Sequence, residues 1–585
     1  MEFELNYIKD NISESISEFL NISNIQNYNP LYKLFFKLNE NNFNSIQLNE
    51  TFKLQKIKEK VTHNIFNCDL QSSNGNSDVK TINKEMFIKF SPIIDPTKFM
   101  IGKFDISNNE LFNLPSFSFD EDDKISEKKN NPYNSAYTDG FFSFLSSKLL
   151  HNHNVVNAND YYGSFIGNQD NFQCNIYDDI DYLCDSNFFH RNKDILFKVD
   201  DSFYDEINNS DSRNNKKKIK INNKNISLKS VESFHDNIYG DVFELNSTNN
   251  SSEIQELNKN DINLPEASLE IPESIFNLNN NEEDDQTKSS RSSSCSSRTS
   301  ITDNNEDIHT SDIDSLDDIS SYNSSECSNE NIFAHIPNFP VNVIALEMCT
   351  NTLDDYMMNE EVTNKEWSAL LLQVIFTLLI YQKTFKFTHN DLHTNNIMFI
   401  ETDKQFLYYN FENKYYKVPT FGKIWKIIDF GRAIYKYKNN VICSDCFDKN
   451  GDADGQYNCE PFLNEEKPKL EPNTSFDLCR LGCSLFDFFV DDIIDMKNNK
   501  LSPIEKIVVS WCYDDNNKNI LYKKNGEERY PEFKLYKMIA RNVHNHTPEK
   551  QLQHDVFASF QISKKKINNN QQKKILYIDN LPDYT

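Results

Sequence analysis

The sequence predicts an α+β chain built as two lobes and carrying a long disordered acidic insert. Three observations predict it. At 585 residues the chain exceeds one typical domain. Strand-like and amphipathic helical runs alternate on both sides of a stretch rich in Asn, Ser and Asp. Hydrophobic residues make up 38% and the mean hydropathy is −0.68, low for a chain compact throughout, so part of it is expected to be unfolded.

The formal charge of −28, from 89 Asp+Glu against 61 Lys+Arg, argues against a general nucleic-acid or anionic-membrane footprint. The opening residues, Met1 to Asp10, have neither a basic nor an apolar signal region, and no secretory signal is expected. The longest apolar run, Ala369 to Tyr381, is too short to span a bilayer and fits a buried helix. An intracellular location follows as the expectation, with the twelve cysteines reduced.

Residues 1–50 carry apolar periodicity without a chemical signature and read as an N-terminal helical extension. A small mixed lobe is expected over 51–200. Within it, Thr81 to Phe90 reads as a strand bearing Lys89, and Pro132 to His151 places Tyr137, Phe141, Phe144, Leu145 and Leu149 at helical spacing. Tyr161 to Gly167 reads as a further strand. Residues 201–335 form the acidic insert; positions 271–330 hold 14 Asp+Glu and 3 Lys+Arg. Folded structure is expected to resume with the strand Val341 to Thr350 and to continue through 336–560, followed by a C-terminal tail over 561–585. Phe406 to Tyr409 and Lys414 to Val418, around Asn413, read as an inserted β-hairpin.

Two segments carry the chemistry. Thr388-His389-Asn390-Asp391-Leu392-His393-Thr394-Asn395-Asn396 and Ile427-Ile428-Asp429-Phe430-Gly431 are each bordered by apolar residues, so their polar atoms project from loops on a rigid support. An Asp, an Asn five residues on and a second Asp before Phe-Gly stand in the order that phosphoryl transfer requires. A third segment, Asp477-Leu478-Cys479-Arg480-Leu481-Gly482-Cys483, follows them.

In these three segments the chain resembles the eukaryotic-like protein kinase superfamily, as a divergent member. Its enlarged hairpin, acidic insert and Asn-rich composition also look like those of kinase-like proteins of giant DNA viruses, which would place it in host cytoplasm or virion. The resemblance implies a two-lobed protein-kinase-like fold, with a small mostly β N-lobe holding one main helix and a larger mostly α C-lobe. It implies ATP and Mg²⁺ (or Mn²⁺) as cofactors and a protein substrate as partner, with no nucleic acid and no membrane. Asp391 would orient the accepting hydroxyl and take its proton, while Asn396 and Asp429 would hold the metal. His393 would donate to the γ-phosphate where most such enzymes have Lys. Lys89 would contact the α/β-phosphates. Glu347 and Met348 would hold the adenine edge with their backbone, and Asp477 would cap the catalytic loop.

The pattern also departs from the family. No G-x-G-x-x-G precedes Lys89, where only Gly75 is available for close backbone approach to phosphate. The helix expected to supply a Glu to Lys89 offers only Asp139, one methylene shorter; either the helix lies closer to the sheet or the ion pair is missing. Asn390 replaces an Arg that in many kinases meets an activation-loop phosphate, so control by such a phosphate is not expected. The function expected is a serine/threonine protein kinase. A pseudokinase acting as a binding or scaffold protein and a small-molecule phosphotransferase are the alternatives.

Overall fold

The computed structural model describes residues 5–7, 14–72, 81–108, 110–118, 124–200, 332–490, 501–523 and 526–585, and shows a mixed α+β fold. The acidic insert expected over 201–335 lies outside the described residues except for its last four, and Gly75 lies outside them too.

An antiparallel sheet organises the N-terminal part. Its main strands are β1 (Ile22–Gln26), β2 (Phe52–Lys60), β3 (Ile65–Ser72), β4 (Thr81–Pro92), β5 (Tyr161–Asn175) and β6 (Phe333–Glu347). They lie in the order β1-β5-β6-β4-β3-β2, and the short strand Lys198–Val199 pairs with the start of β6. The N-terminal extension is thus not wholly helical: β1 forms an edge of this sheet, paired with β5.

Alternation along the two central strands separates two hydrophobic clusters. Met86, Ile88 and Phe90 of β4, with Val341, Val343 and Ala345 of β6, enter one cluster. Phe87, Ile344 and Leu346 point the opposite way into the other. Lys89, in register with Ile344, has the parity of this second face. β5 and β6 run in register from Tyr161 opposite Leu346 to Asn175 opposite Phe333, so the insert connects neighbouring strands. Lengthening a ten-residue connection to about 135 residues adds only about 2 kcal/mol of closure entropy, which the ladder can carry.

The helix α1 (Ser135–His153) lies on the second face. The Asn134 side chain caps its start by accepting from the Ala136 N–H at 3.0 Å, and Asn154, with φ 57°, ends it in the left-handed region. Gly140 brings α1 close to β6, since a Cβ there would meet Asn342 Nδ2 at 3.1 Å and Ile344 Cδ1 at 3.5 Å. Asn342 Nδ2 also donates to the Ala136 carbonyl at 2.7 Å, fixing this approach.

The longest helix among the described residues, α2 (Asn364–Phe385), is capped by Thr363 and contains the apolar run. The helix extends beyond that run at both ends and is long and apolar enough to cross a membrane, contrary to the reading of the run alone. It is a core element here, with 89% of its most apolar window buried. Next come β7 (Ile397–Glu401), β8 (Phe406–Phe411), β9 (Lys414–Pro419) and β10 (Lys423–Ile427). β8 and β9 form the expected hairpin, turning through Glu412 and Asn413 at positive φ. β11 (Ile434–Tyr437) and β12 (Asn440–Cys443) make a second hairpin.

The remaining helices used below are α3 (Phe476–Phe489), α4 (Pro503–Trp511) and α5 (Lys534–Asn542). Gly482 lets α3 press on α4, since a Cβ would meet that of Trp511 at 2.9 Å. The segment set apart as a tail is docked: β13 (Gln561–Ile562) and β14 (Ile575–Tyr577) flank the β8–β9 hairpin to give the order β13-β9-β8-β14. Hydrogen bonds to this hairpin reward ordering a C-terminal segment whose own sequence gave no strand pattern.

Candidate active site

Lys89 extends from β4 toward α1 and ends between two carboxylates. Its Nζ is 2.8 Å from Asp139 Oδ2 and 3.0 Å from Asp429 Oδ1, and all three groups are buried. The close approach that Gly140 permits is what lets the short Asp139 side chain reach the strand. Asp139 also accepts from the Phe430 N–H through Oδ1 at 2.9 Å, so a single carboxylate links helix, strand and the Asp429-Phe430-Gly431 turn. Phe430 anchors that turn from below, 4.7 Å from the Phe142 ring of α1 and 5.9 Å from Phe387.

With both carboxylates ionised, this cluster holds one negative charge more than Lys89 neutralises. Burial, opposed by Lys89 and reinforced by the Asp139 charge, pushes the Asp429 carboxyl up to about 6. Its Oδ2 is buried without a hydrogen-bond partner among the described residues, and its backbone is held at φ 65°. A turn stabilised from several sides thus presents an oxygen with unsatisfied charge.

The other loop is aligned with this turn by the sheet. β7 and β10 are antiparallel with Ile397 opposite Ile427, and the Ile428 N–H donates to the Asn396 carbonyl at 3.0 Å. Asn396 and Asp429 therefore stand at the same end of neighbouring strands. Asn396 Nδ2 donates to the Asp391 carbonyl at 2.9 Å and lies 3.1 Å from His393 Nε2. His389 ties the loops once more: one ring nitrogen meets the Ile428 carbonyl at 2.9 Å and the other accepts from the Asp391 N–H at 3.3 Å. A carbonyl can only accept, so these bonds place the ring proton on Nε2.

Asp477 at the start of α3 holds the loop from beneath, Oδ2 accepting from the His389 N–H and Oδ1 from the Asn390 N–H, both at 2.9 Å. Asn390, at φ 65°, adopts a conformation that Asn tolerates better than most residues. Its Nδ2 donates to the carbonyl of Arg432 at 2.9 Å and its Oδ1 accepts from Tyr457 OH at 2.8 Å. Read in the sequence as the loss of an Arg, it fastens the loop to the segment after Gly431. That segment is also tied to α1, because Asp445 accepts from the Ser135 N–H at 3.0 Å and pairs with Lys128 at 3.2 Å.

Asp391 faces groups that sequence reasoning missed. Tyr536 of α5 donates its hydroxyl to Asp391 Oδ1 at 2.8 Å, and Arg480 Nε donates to that hydroxyl at 2.8 Å. Arg432 Nη1 lies 4.0 Å from Asp391 Oδ2. Burial alone would raise the Asp391 carboxyl, but Arg432, His393 and Arg480 outweigh it and hold it well below the usual carboxylate range. Asp391 is therefore an ionised, acceptor-only group that already receives a hydroxyl. Arg432 follows Phe-Gly directly and was open to notice; Tyr536, 145 residues from Asp391, was not.

Glu347 ends β6, three positions beyond Ile344, the partner of Lys89, and so about 10 Å along the sheet from it. Its N–H donates to the Asp160 carbonyl at 3.0 Å, and its carboxylate pairs with Lys426 at 2.5 Å and Lys84 at 3.4 Å. Those cations hold it below its ordinary range despite burial. Half-buried Met348 follows. Lys89, Asp139 and Asp429 thus form one group, and Asp391, His393 and Asn396 an adjoining one, with Glu347 and Met348 at the sheet end.

No protein-family model matches the chain. Over 115 residues, 18% of the chain, it is 36% identical to a Dictyostelium discoideum protein named "Probable serine/threonine-protein kinase", of which the match covers 9%. An Acanthamoeba polyphaga mimivirus protein bearing a serine/threonine-protein kinase name, R301, is 29% identical over 146 residues, 24% of this chain and 34% of that protein. The uncharacterized Caenorhabditis elegans protein ZK177.2 is 26% identical over 106 residues, 17% of this chain and 36% of its own. The chain thus spans about a third of these proteins or less, and the matches support, loosely, a kinase-like relation over part of its length.

Proposed function

We propose that the chain is an ATP- and Mg²⁺-dependent phosphotransferase with a two-lobed protein-kinase-like fold, acting on serine and threonine hydroxyls. The observation that carries this reading is the buried Lys89 held between Asp139 and Asp429, with Asp429 Oδ2 left without a partner among the described residues. A hard divalent cation prefers oxygen ligands, and an orphaned, charge-excess carboxylate oxygen beside an Asn fits one. In this reading Asp429 and Asn396 hold the ion, and bound Mg²⁺ would supply charge neutralisation at the nucleotide phosphates.

The chain's own residues do the rest. Lys89, fixed by Asp139, presents its ammonium to phosphate oxygens. Asp391, kept ionised, accepts a hydrogen bond from the acceptor hydroxyl and orients it, as it now does for Tyr536. His393 lies within the same loop; its Nε2 accepts from Asn396 Nδ2 at 3.1 Å, so Nδ1–H is the donor assigned to the transferred group. Positioning and electrostatic stabilisation are the main sources of rate in such chemistry. The backbone at Glu347 and Met348 is assigned to the adenine edge; because the Glu347 N–H is engaged by Asp160, the Glu347 carbonyl and the Met348 backbone carry that role.

A second reading, a pseudokinase that binds partners without turnover, draws on the same Tyr536 contact, which covers the Asp391 carboxylate. Asp429→Ala separates the two. It should abolish Mg²⁺-dependent nucleotide binding and transfer while the apo protein stays folded and loses less stability than on removal of Asp139, since Lys89 keeps Asp139 as partner, the Phe430 N–H keeps its acceptor and the cluster loses its surplus charge. Unaltered transfer would refute the metal assignment. Nucleotide binding without transfer in the wild type would favour the second reading.

A further inference from the structure

Asp391 faces two guanidinium groups, those of Arg432 and Arg480. Arg480 is satisfied at least in part, since its Nε donates to Tyr536 OH and its guanidinium lies over the Tyr536 ring at 5.1 Å. Arg432 is not. It is 6% exposed, its Nη1 comes no nearer than 4.0 Å to Asp391, and neither Nη1 nor Nη2 has a hydrogen-bond partner among the described residues. Among the other groups around it, Cys446 is a thiol pushed up to about 12 by burial, and Asp452 directs its Oδ1 to Lys98 at 2.7 Å. A guanidinium is always charged and offers a planar fork of donors. Leaving both fork nitrogens buried and unpaired is costly unless an oxyanion completes them.

The Tyr536 hydroxyl marks where an acceptor hydroxyl sits on Asp391, and both arginines border that point: Arg480 by its hydrogen bond and Arg432 with its guanidinium 5.7 Å from the same ring. We propose that the acceptor side of this site recognises an oxyanion flanking the hydroxyl to be phosphorylated, so that the substrate class is an acidic serine or threonine segment, with Arg432 as the residue that selects it. The proposal rests on the phosphotransferase reading of the site. It makes Tyr536 an occupant that such a segment displaces from Asp391. Arg432, in turn, discriminates among acceptors without taking part in proton transfer.

The test is a binding measurement that needs no turnover. A fluorescent peptide copying residues 311–320, Ser-Asp-Ile-Asp-Ser-Leu-Asp-Asp-Ile-Ser, is titrated with the full chain by anisotropy, beside a version with every Asp replaced by Asn. A third peptide, the Asn version phosphorylated at its central serine, separates phosphate from carboxylate as the oxyanion source. The wild type is expected to bind at least one of the anionic peptides about tenfold or more tightly than the neutral one, as a charge-assisted bond implies. Arg432→Gln should erase the preference, Arg432→Lys should retain part of it, and Asp391→Asn should keep it. Should Arg432→Gln fail to fold, Arg480→Gln, on the half-buried partner, is expected to reduce the preference. Equal binding of all three peptides by the wild type would overturn the proposal, as would an undiminished preference in Arg432→Gln. A preference without transfer would count against the phosphotransferase reading alone, and transfer without a preference against the acidic acceptor alone.

Discussion

Replacing Asp139 tests how the buried cluster is balanced. Asp139→Ala removes one partner of Lys89 and leaves the Phe430 N–H without its acceptor. Breaking a buried ion pair from one side costs about 3–5 kcal/mol, and an orphaned buried donor adds about 1–3 kcal/mol. Two facts reduce that sum. Lys89 retains Asp429 at 3.0 Å, and the substitution takes away the negative charge that helps push Asp429 up to about 6. A net loss of about 2–4 kcal/mol is expected. Asp139→Asn keeps the acceptor for Phe430 and removes the same charge, so its loss should be smaller by at least about 1 kcal/mol, the typical net worth of one hydrogen bond. Asp139→Glu inserts a methylene where Gly140 already brings α1 against β6, and overpacking of that kind costs about 1–3 kcal/mol. Urea unfolding followed by tryptophan fluorescence reads the relevant unit, because Trp367, Trp425 and Trp511 lie in the same hydrophobic cluster as α1. Indistinguishable Ala and Asn variants, or a loss below 1 kcal/mol for Ala, would refute the reasoning.

Two further outcomes follow from the same geometry. Asp477→Ala should destabilise by about 2–5 kcal/mol by orphaning the His389 and Asn390 N–H groups, and should reduce transfer more than it weakens nucleotide binding; a neutral effect in urea unfolding would contradict the capping role. Asp179, buried and near the charge of Asp95, is pushed up to about 7, so the folded state holds its proton more tightly than the unfolded chain. Its contribution is therefore a penalty that is absent below about pH 4 and grows to on the order of 4 kcal/mol as pH rises through 7. Asp179→Asn keeps an acceptor for Thr97 Oγ1 and should raise the melting temperature at pH 8 more than at pH 5; an equal shift at both would show that ionisation is not the cause.

What the sequence made legible was local. Alternation located β4 with Lys89, helical spacing located α1, and Glu412 and Asn413 turned the hairpin between two aromatic-rich strands. The loop carrying Asp391 and the turn carrying Asp429 were readable because their residue order is set by chemistry. The Lys89 to Asp139 pair was left open, although its sign was present in Gly140, the residue that permits close approach of helix to strand. Arg480 and Tyr536 were beyond reach, because α3 and α5 meet Asp391 only through packing of distant segments. The strands at 561–562 and 575–577 were missed for a similar reason: their hydrogen-bond partners lie in the β8–β9 hairpin rather than nearby in the chain.

The most direct measurement is γ-phosphoryl transfer from labelled ATP with Mg²⁺ or Mn²⁺ to a protein acceptor, with Asp391→Asn alongside. Asn keeps the size of Asp391 but loses the ionised acceptor that receives the Tyr536 hydroxyl. Transfer by the wild type that falls by two or more orders of magnitude in the variant is the result this account predicts, in line with the size of general-base effects. Equal transfer by the two proteins, or none from a wild type that also fails to bind nucleotide, would contradict it.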